Sequence, residues 1–250
     1  MYLLKKYKVM KVVDIIENKI KRLPNGYSFT YKDFLLSIEN KEVAIKALNR
    51  FVEKGKINKI SKGKFYKPEK TIFGTLQPNQ YQLLKDLLEE DNKITGYLTC
   101  FSIYNTLGLT TQLSNTVQIG KNNLRPYLKR ERYLINFVKQ NNTINKDNIP
   151  YLQLLDCIKT IKKIPDTTIE KSVERFISIL SGYNLKDIQQ IVRLSQKYSP
   201  STRAILGAML DELQLEKYSV ILLKTLNPVT KYHFAGLNDK LPQYKKWNLV

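Results

Sequence analysis

The chain is 250 residues long, 42% hydrophobic and 26% charged, with 10 Gly and 9 Pro. That length suits two domains with a core in each, and so ordinary a composition excludes a collagen-like or extensively disordered chain. Its 42 Lys and Arg against 22 Asp and Glu leave a formal net charge of +20, which points to a polyanionic partner.

From the N-terminus, the opening MYLLKKYKVMKVVDII lacks both an uninterrupted apolar stretch and a small-residue cleavage site. No apolar run of about 18 residues follows, so neither secretion nor membrane insertion is expected. The spacing of Val12, Val13, Ile16 and Ile20 predicts a first helix from Met10 to Ile20, stopped by Leu23-Pro24-Asn25-Gly26. Tyr27-Ser28-Phe29 predicts a short strand, and Thr30 caps a second helix through Phe34, Leu35 and Ile38. Asn40 is the next cap. Ala44, Ile45, Leu48, Phe51 and Val52 form one stripe on a third helix, Glu42 to Lys54, with Gly55 at its C-terminal end. Lys56 to Ser61 and Lys64 to Pro68 then flank a Lys62-Gly63 turn as two strands of a basic hairpin. Three helices followed by such a hairpin make a winged helix-turn-helix.

Glu69 to Pro78 reads as the connecting segment. The division expected is therefore a winged helix-turn-helix over 1–70, a linker over 71–78 and a larger domain over 79–250. In that second part, helical spacing returns at Gln80 to Glu90 and again at Tyr97 to Leu107, closed by Gly108. Thr116 to Ile119 alternates as a strand does, and Arg125 to Lys139 reads as strand and turn. Helices are then expected over Tyr151 to Ile161, Ile169 to Leu180, Leu185 to Tyr198 and Ala204 to Leu213. The aromatic tail from Asn227 to Val250 has no clear period and is expected to pack over the surface. The fold class is thus α+β and mainly helical, a winged helix-turn-helix followed by a helix-rich C-terminal domain with a small sheet.

Charge is concentrated at the front. Residues 1–70 hold 18 basic and 7 acidic side chains, whereas the other 180 hold 24 and 15. A lysine-rich genome would inflate the total everywhere, so this asymmetry favours a specific basic surface. The third helix sets Lys46, Asn49, Arg50 and Glu53 opposite its apolar stripe, with Lys41 at its start. A major groove about 12 Å wide admits such a helix. Asn49 has the geometry to pair with adenine, and Arg50 to reach guanine or phosphate. A solvated amphipathic face would look the same in isolation, but the lysines of the wing, Lys56, Lys59, Lys62, Lys64 and Lys67, follow at once and suit phosphates or the minor groove. The DNA-binding set expected is Lys32, Lys41, Lys46, Asn49, Arg50, Lys62 and Lys64. Phe65 and Tyr66 are either a base-stacking platform or the anchor that seats the wing on the third helix.

Catalytic signatures are thin. His233 is the sole histidine, and Cys100 and Cys157 stand apart without CxxC spacing. A His-based metal site and a structural zinc are excluded on that inventory, and the thiols fit a reduced, cytoplasmic chain without a disulfide. Walker, GxGxxG and GxSxG motifs are all missing from the sequence. Glu89-Glu90-Asp91 and Asp211-Glu212 are expected on exposed helix surface. No enzyme activity, cofactor or metal is expected.

The run Ala47-Leu48-Asn49-Arg50-Phe51-Val52-Glu53-Lys54-Gly55-Lys56-Ile57, with Ser61-Lys62-Gly63-Lys64-Phe65-Tyr66 after it, resembles the winged-helix start of AbiEi-type antitoxins of type IV toxin-antitoxin systems. Gly96-Tyr97-Leu98-Thr99, Leu107-Gly108-Leu109-Thr110-Thr111-Gln112 and Val117-Gln118-Ile119 are similar to the stretch that follows it in that family, and Arg203 to Ala208 is similar more loosely. The resemblance implies an antitoxin that represses its own operon by binding double-stranded DNA at the promoter. It also implies that the C-terminal domain counteracts a cognate nucleotidyltransferase-like toxin, directly or indirectly, and it transfers no functional residue to that domain. A winged-helix regulator or mobile-element DNA-binding protein unrelated to a toxin is the alternative. A nuclease or kinase assembled from distant carboxylates is a third.

Overall fold

A computed structural model describes residues 12–37, 40–90, 93–234, 236–237 and 240–250. Met10, Ile38 and Asp91, which carried expectations above, lie outside them. The chain divides into two compact units, Met1–Asp86 and Leu87–Val250, and the described residues form eight α-helices and eleven short strands.

In the first unit α1 (Val12–Arg22) buries Ile16 and Ile20, and β1 (Ser28–Thr30) follows it. The second helix expected of the motif is present as a 3₁₀ helix, Tyr31–Ser37. Its start is tightly wound: the Asp33 carboxylate accepts from the Thr30 N–H at 2.6 Å, while the Thr30 hydroxyl accepts from the Lys32 N–H at 3.2 Å. With only seven residues, the segment is held by this local bonding and by buried Phe34. The longer α2 (Lys41–Glu53) is followed by β2 (Asn58–Ser61) and β3 (Lys64–Tyr66). The three strands form one antiparallel sheet in the order β1-β3-β2. Helix, strand, helix, helix and hairpin in this order are the winged helix-turn-helix. Its core is Ile16, Ile20, Phe29, Phe34, Ala44, Leu48, Phe51, Ile57 and Phe65 with their neighbours.

The segment 71–78 is no plain linker. β4 (Glu69–Thr71) and β5 (Gly74–Leu76) pair as a second, exposed hairpin. The division between units falls later, inside α3 (Gln80–Leu88). The physical reason is that the start of α3 is bonded to the wing domain: Gln82 accepts from the Ser28 N–H at 3.0 Å, and Lys85 donates to the Tyr27 hydroxyl at 2.6 Å.

The second unit opens with a two-residue pair, β6 (Glu89–Glu90) and β7 (Lys93–Ile94), so Glu89 and Glu90 are on strand and not on helix. Tyr97 to Leu107 is likewise not a helix. β8 (Gly96–Thr99) runs into a 3₁₀ turn at Cys100–Ser102, because Tyr97 and Thr99 both turn inward to the same buried carboxylate, which only a strand's alternation allows. Three more strands, β9 (Thr116–Lys121), β10 (Leu128–Arg130) and β11 (Tyr133–Lys139), complete a four-stranded sheet in the order β10-β11-β9-β8. β11 is parallel to β9, and the outer pairs are antiparallel.

The helices that follow are α4 (Ile149–Lys159), α5 (Ile169–Ser181), α6 (Leu185–Ser195), α7 (Pro200–Glu212) and α8 (Glu216–Leu223). Three of them start at local caps: Thr168, Asn184 and Ser199 cap α5, α6 and α7 through side-chain oxygens, and Asn184 with Asp187 forms a reciprocal capping box. α8 starts after Leu215 with no side-chain cap bond, which is why local signals miss it.

The tail after Asn227 is a correction too. It does not lie over the surface, because Trp247, Leu237, Leu241 and Leu249 are buried in the main core. Gly207 of α7 makes that possible: a Cβ there would lie 2.1 Å from the Trp247 ring. Asp211, expected on an exposed face, is buried and accepts from Lys246 Nζ at 2.6 Å, from Trp247 Nε1 at 2.8 Å and from the Ser219 hydroxyl. A charge that binds the tail from inside cannot be seen in helical spacing.

Candidate nucleic-acid interface

Asn40 starts α2, its Oδ1 accepting from the N–H groups of Glu42 at 2.9 Å and Val43 at 3.3 Å. Ala44, Ala47, Leu48 and Phe51 are then buried in the domain core. With that face fixed inward, the 3.6-residue period leaves Lys46, Asn49, Arg50 and Glu53 exposed on the other side. Lys46, Asn49 and Arg50 are at i, i+3 and i+4, so their side chains are neighbours on one strip. Lys41 is exposed at the first turn, its ammonium 5.2 Å from the Tyr31 ring centroid, and Lys32 is exposed on the 3₁₀ helix.

The wing leaves α2 through Gly55 and the buried Ile57. Its two-residue loop is Lys62-Gly63, and Gly63 takes φ +75, a left-handed conformation that a tight hairpin turn calls for. Phe65 and Tyr66 are each 2% exposed. Phe65 stacks on Phe29 with centroids 6.2 Å apart, and the Tyr66 hydroxyl accepts from Asn58 Nδ2 at 3.0 Å. Both rings therefore anchor the wing, and neither offers a face to a base.

The wing lysines separate into two groups. Lys56 donates to Glu17 at 2.7 Å, and Lys67 donates to the carbonyls of Lys21 at 2.9 Å and Leu23 at 2.7 Å. Lys64, counted above with the DNA-binding residues, is ion-paired with Asp86, and its side chain is only 22% exposed. Those three hold the domain together. Lys59 and Lys62 remain exposed. The Lys64–Asp86 pair joins residues 22 apart in the chain, and no local pattern announces it. The structure thus brings Lys46, Asn49 and Arg50 onto one strip, sets Lys32 and Lys41 beside the N-terminal end of α2, leaves Lys62 at the wing tip, and takes Lys64 away.

The second unit has polar residues of a different kind. Asp156 on α4 is 1% exposed and accepts from Tyr97 at 2.7 Å, Thr99 at 2.8 Å and Tyr198 at 2.8 Å. Gln140 donates to both tyrosine hydroxyls, at 2.7 and 2.8 Å, and its own carbonyl accepts from Asn142. Burial raises the Asp156 carboxyl above the ordinary carboxylate range in spite of these three bonds. All of these side chains are buried, and the group fastens sheet to helices. Cys100 and Cys157 are free and buried, and burial pushes the Cys100 thiol up to about 11, which makes it a poor nucleophile at neutral pH. The sole histidine, His233, is exposed at a shallow depression lined also by Lys162, Thr167 and Val250. Among the described residues no group of three or more His, Cys, Asp or Glu side chains converges as metal ligands do, and no helix is long and apolar enough to cross a membrane.

Fold and site together define a winged helix-turn-helix domain followed by a helix-rich α+β domain. The chain belongs to the family described as "Family of unknown function (DUF6088)", whose model matches residues 15–190. No curated protein matches it. Among solved structures, the RV2827C protein from Mycobacterium tuberculosis is similar over 88% of this chain and 83% of its own, with a TM-score of 0.55 at 12% sequence identity. At that identity the likeness is one of fold alone.

Proposed function

We propose that this protein binds duplex DNA through α2 and the wing, in the cytoplasm, and acts by binding and not by catalysis. The observation that carries the reading is the strip of Lys46, Asn49 and Arg50 standing in solvent opposite the buried Ala44, Ala47, Leu48 and Phe51. A helix so oriented suits the major groove, with the amide and guanidinium reading base edges and Lys32, Lys41 and Lys62 taking phosphates. The resemblance to AbiEi-type antitoxins extends the proposal. The DNA is then the promoter of the protein's own operon, and the partner is a nucleotidyltransferase-like toxin encoded beside it, countered directly or indirectly.

The experiment for the first part is footprinting on DNA upstream of the gene, with affinity followed against salt, since each neutralised phosphate releases counterion. Asn49→Ala with Arg50→Ala abolishes sequence preference, each lost base contact weakening discrimination by about 1–3 kcal/mol. A double variant that footprints with wild-type affinity overturns the docking. The antitoxin part is tested by co-expression with the neighbouring gene, where restored growth supports it and continued arrest overturns it.

A further inference from the structure

The chain has 34 lysines but only 8 arginines, so a surface built from arginine is not explained by lysine-rich composition. Three arginines of the second unit are used in the fold. Arg175 donates to the Leu107 carbonyl at 2.7 Å, Arg193 to Gln190 at 3.1 Å, and Arg203 to the carbonyls of Tyr198 at 2.7 Å and Thr225 at 3.2 Å. The remaining three, Arg125, Arg130 and Arg132, cluster within the short stretch that enters and turns the β10–β11 hairpin, where Arg130 is itself engaged and Arg132 donates to the Tyr133 hydroxyl at 3.0 Å. Residues 121–139 carry six basic side chains and one acidic, Glu131.

The stretch is well supported from below. Asn122 Nδ2 donates to the carbonyls of Gln140 at 2.7 Å and Asn142 at 2.8 Å, which fixes the start of the loop against the end of β11. β10 is one of the two edge strands of its sheet. On this support Arg125, Lys129 and Arg132 are exposed, the Arg132 guanidinium lying 5.1 Å from the Tyr133 ring centroid. Between them Tyr127 is 75% exposed. Charges on an edge strand also block pairing with another sheet, but that role needs neither arginine nor a bare aromatic ring.

We propose that the loop and hairpin over 122–133 form a second nucleic-acid site, one that takes a single strand. Tyr127 stacks on an unpaired base while Arg125, Lys129 and Arg132 hold the phosphodiester backbone on either side. Guanidinium groups suit phosphate geometry, and an isolated tyrosine ring gains most from the flat face of a base that a duplex keeps inside its stack. The site is independent of α2 and does not rest on the function proposed for it.

The test is fluorescence anisotropy of the full chain with labelled oligo-dT, oligo-U and a random duplex. Wild type binds one or both single strands. Tyr127→Ala weakens that binding about tenfold, within the range of one lost base stack, with little change on duplex, and Tyr127→Phe restores it. Arg125→Ala with Arg132→Ala weakens it further, and Asn49→Ala with Arg50→Ala leaves it intact, which separates this site from α2. Tyr127 is exposed, so its variants keep the wild-type circular dichroism. Failure of wild type to bind either strand overturns the proposal. So does Tyr127→Ala binding like wild type, or losing duplex and single strand equally.

Discussion

The two units treat polar side chains in opposite ways. In the winged-helix unit α2 sends Lys46, Asn49 and Arg50 into solvent and keeps only apolar groups inside. In the second unit the most connected polar groups, Asp156 and Asp211, are buried among donors. A buried polar network is costly when any member is lost, whereas an exposed cation loses little stability and changes what the surface attracts. The difference separates residues that hold the fold from residues free to bind.

The largest effect that sharpens this contrast is expected at Asp156. Asp156→Ala leaves the hydroxyls of Tyr97, Thr99 and Tyr198 without their acceptor, at about 1–3 kcal/mol each, and urea unfolding should show a loss of about 4 kcal/mol. A loss below about 1 kcal/mol would break the comparison. Gly207→Ala comes next. The new methyl meets the Trp247 ring, and overpacking of that kind costs about 2–3 kcal/mol, read as a lower Tm and partly recovered by adding Trp247→Leu.

A smaller effect is tied to pH. Burial pushes the Asp211 carboxyl up, but the Lys246, Ser219 and Trp247 bonds outweigh it, and the group ends below its ordinary 3.8. A carboxyl lowered in the fold stabilises above the unfolded value and loses that contribution as pH falls through the folded one. Trp247 is the sole tryptophan, so its emission should shift to the red on acidification below that range. Lys246→Met should reduce the step, and an unchanged step would remove Asp211 as its cause. The smallest effects distinguish two neighbours on the wing. Lys62→Ala should leave stability unchanged and lower the salt slope of duplex binding by about 1. Lys64→Ala, which breaks the pair with Asp86, should cost up to about 1 kcal/mol of stability and barely change that slope. Equal slopes in the two variants would show that the pairing does not decide which lysine meets DNA.

Short-range signals made much of this legible. Asn40 marks the start of α2 because a cap is bonded within three residues of itself. Thr168, Asn184 and Ser199 are bonded likewise in the second unit, where the spacing alone had placed the start of α7 at Ala204 and not at Pro200. The stripe through Ala44, Leu48 and Phe51 marks α2's inner face, and from it the exposed strip follows. Misreadings arose where the deciding partner is remote. Tyr97 to Leu107 has helical spacing, yet Asp156 on another element holds Tyr97 and Thr99 as alternating strand residues. Lys56, Lys64 and Lys67 look equivalent to Lys62 until Glu17, Asp86 and the carbonyls of Lys21 and Leu23 take them up.

By itself, then, the sequence determined the mainly helical α+β class, the order of the winged helix-turn-helix elements and the outward face of α2. Each follows from capping and periodicity, which act over a few residues. Only the tertiary structure decided which lysines remain exposed, that 69–76 forms a hairpin, and that the tail is buried under α7. Those outcomes depend on contacts between residues distant in the chain, and local spacing carries no record of them.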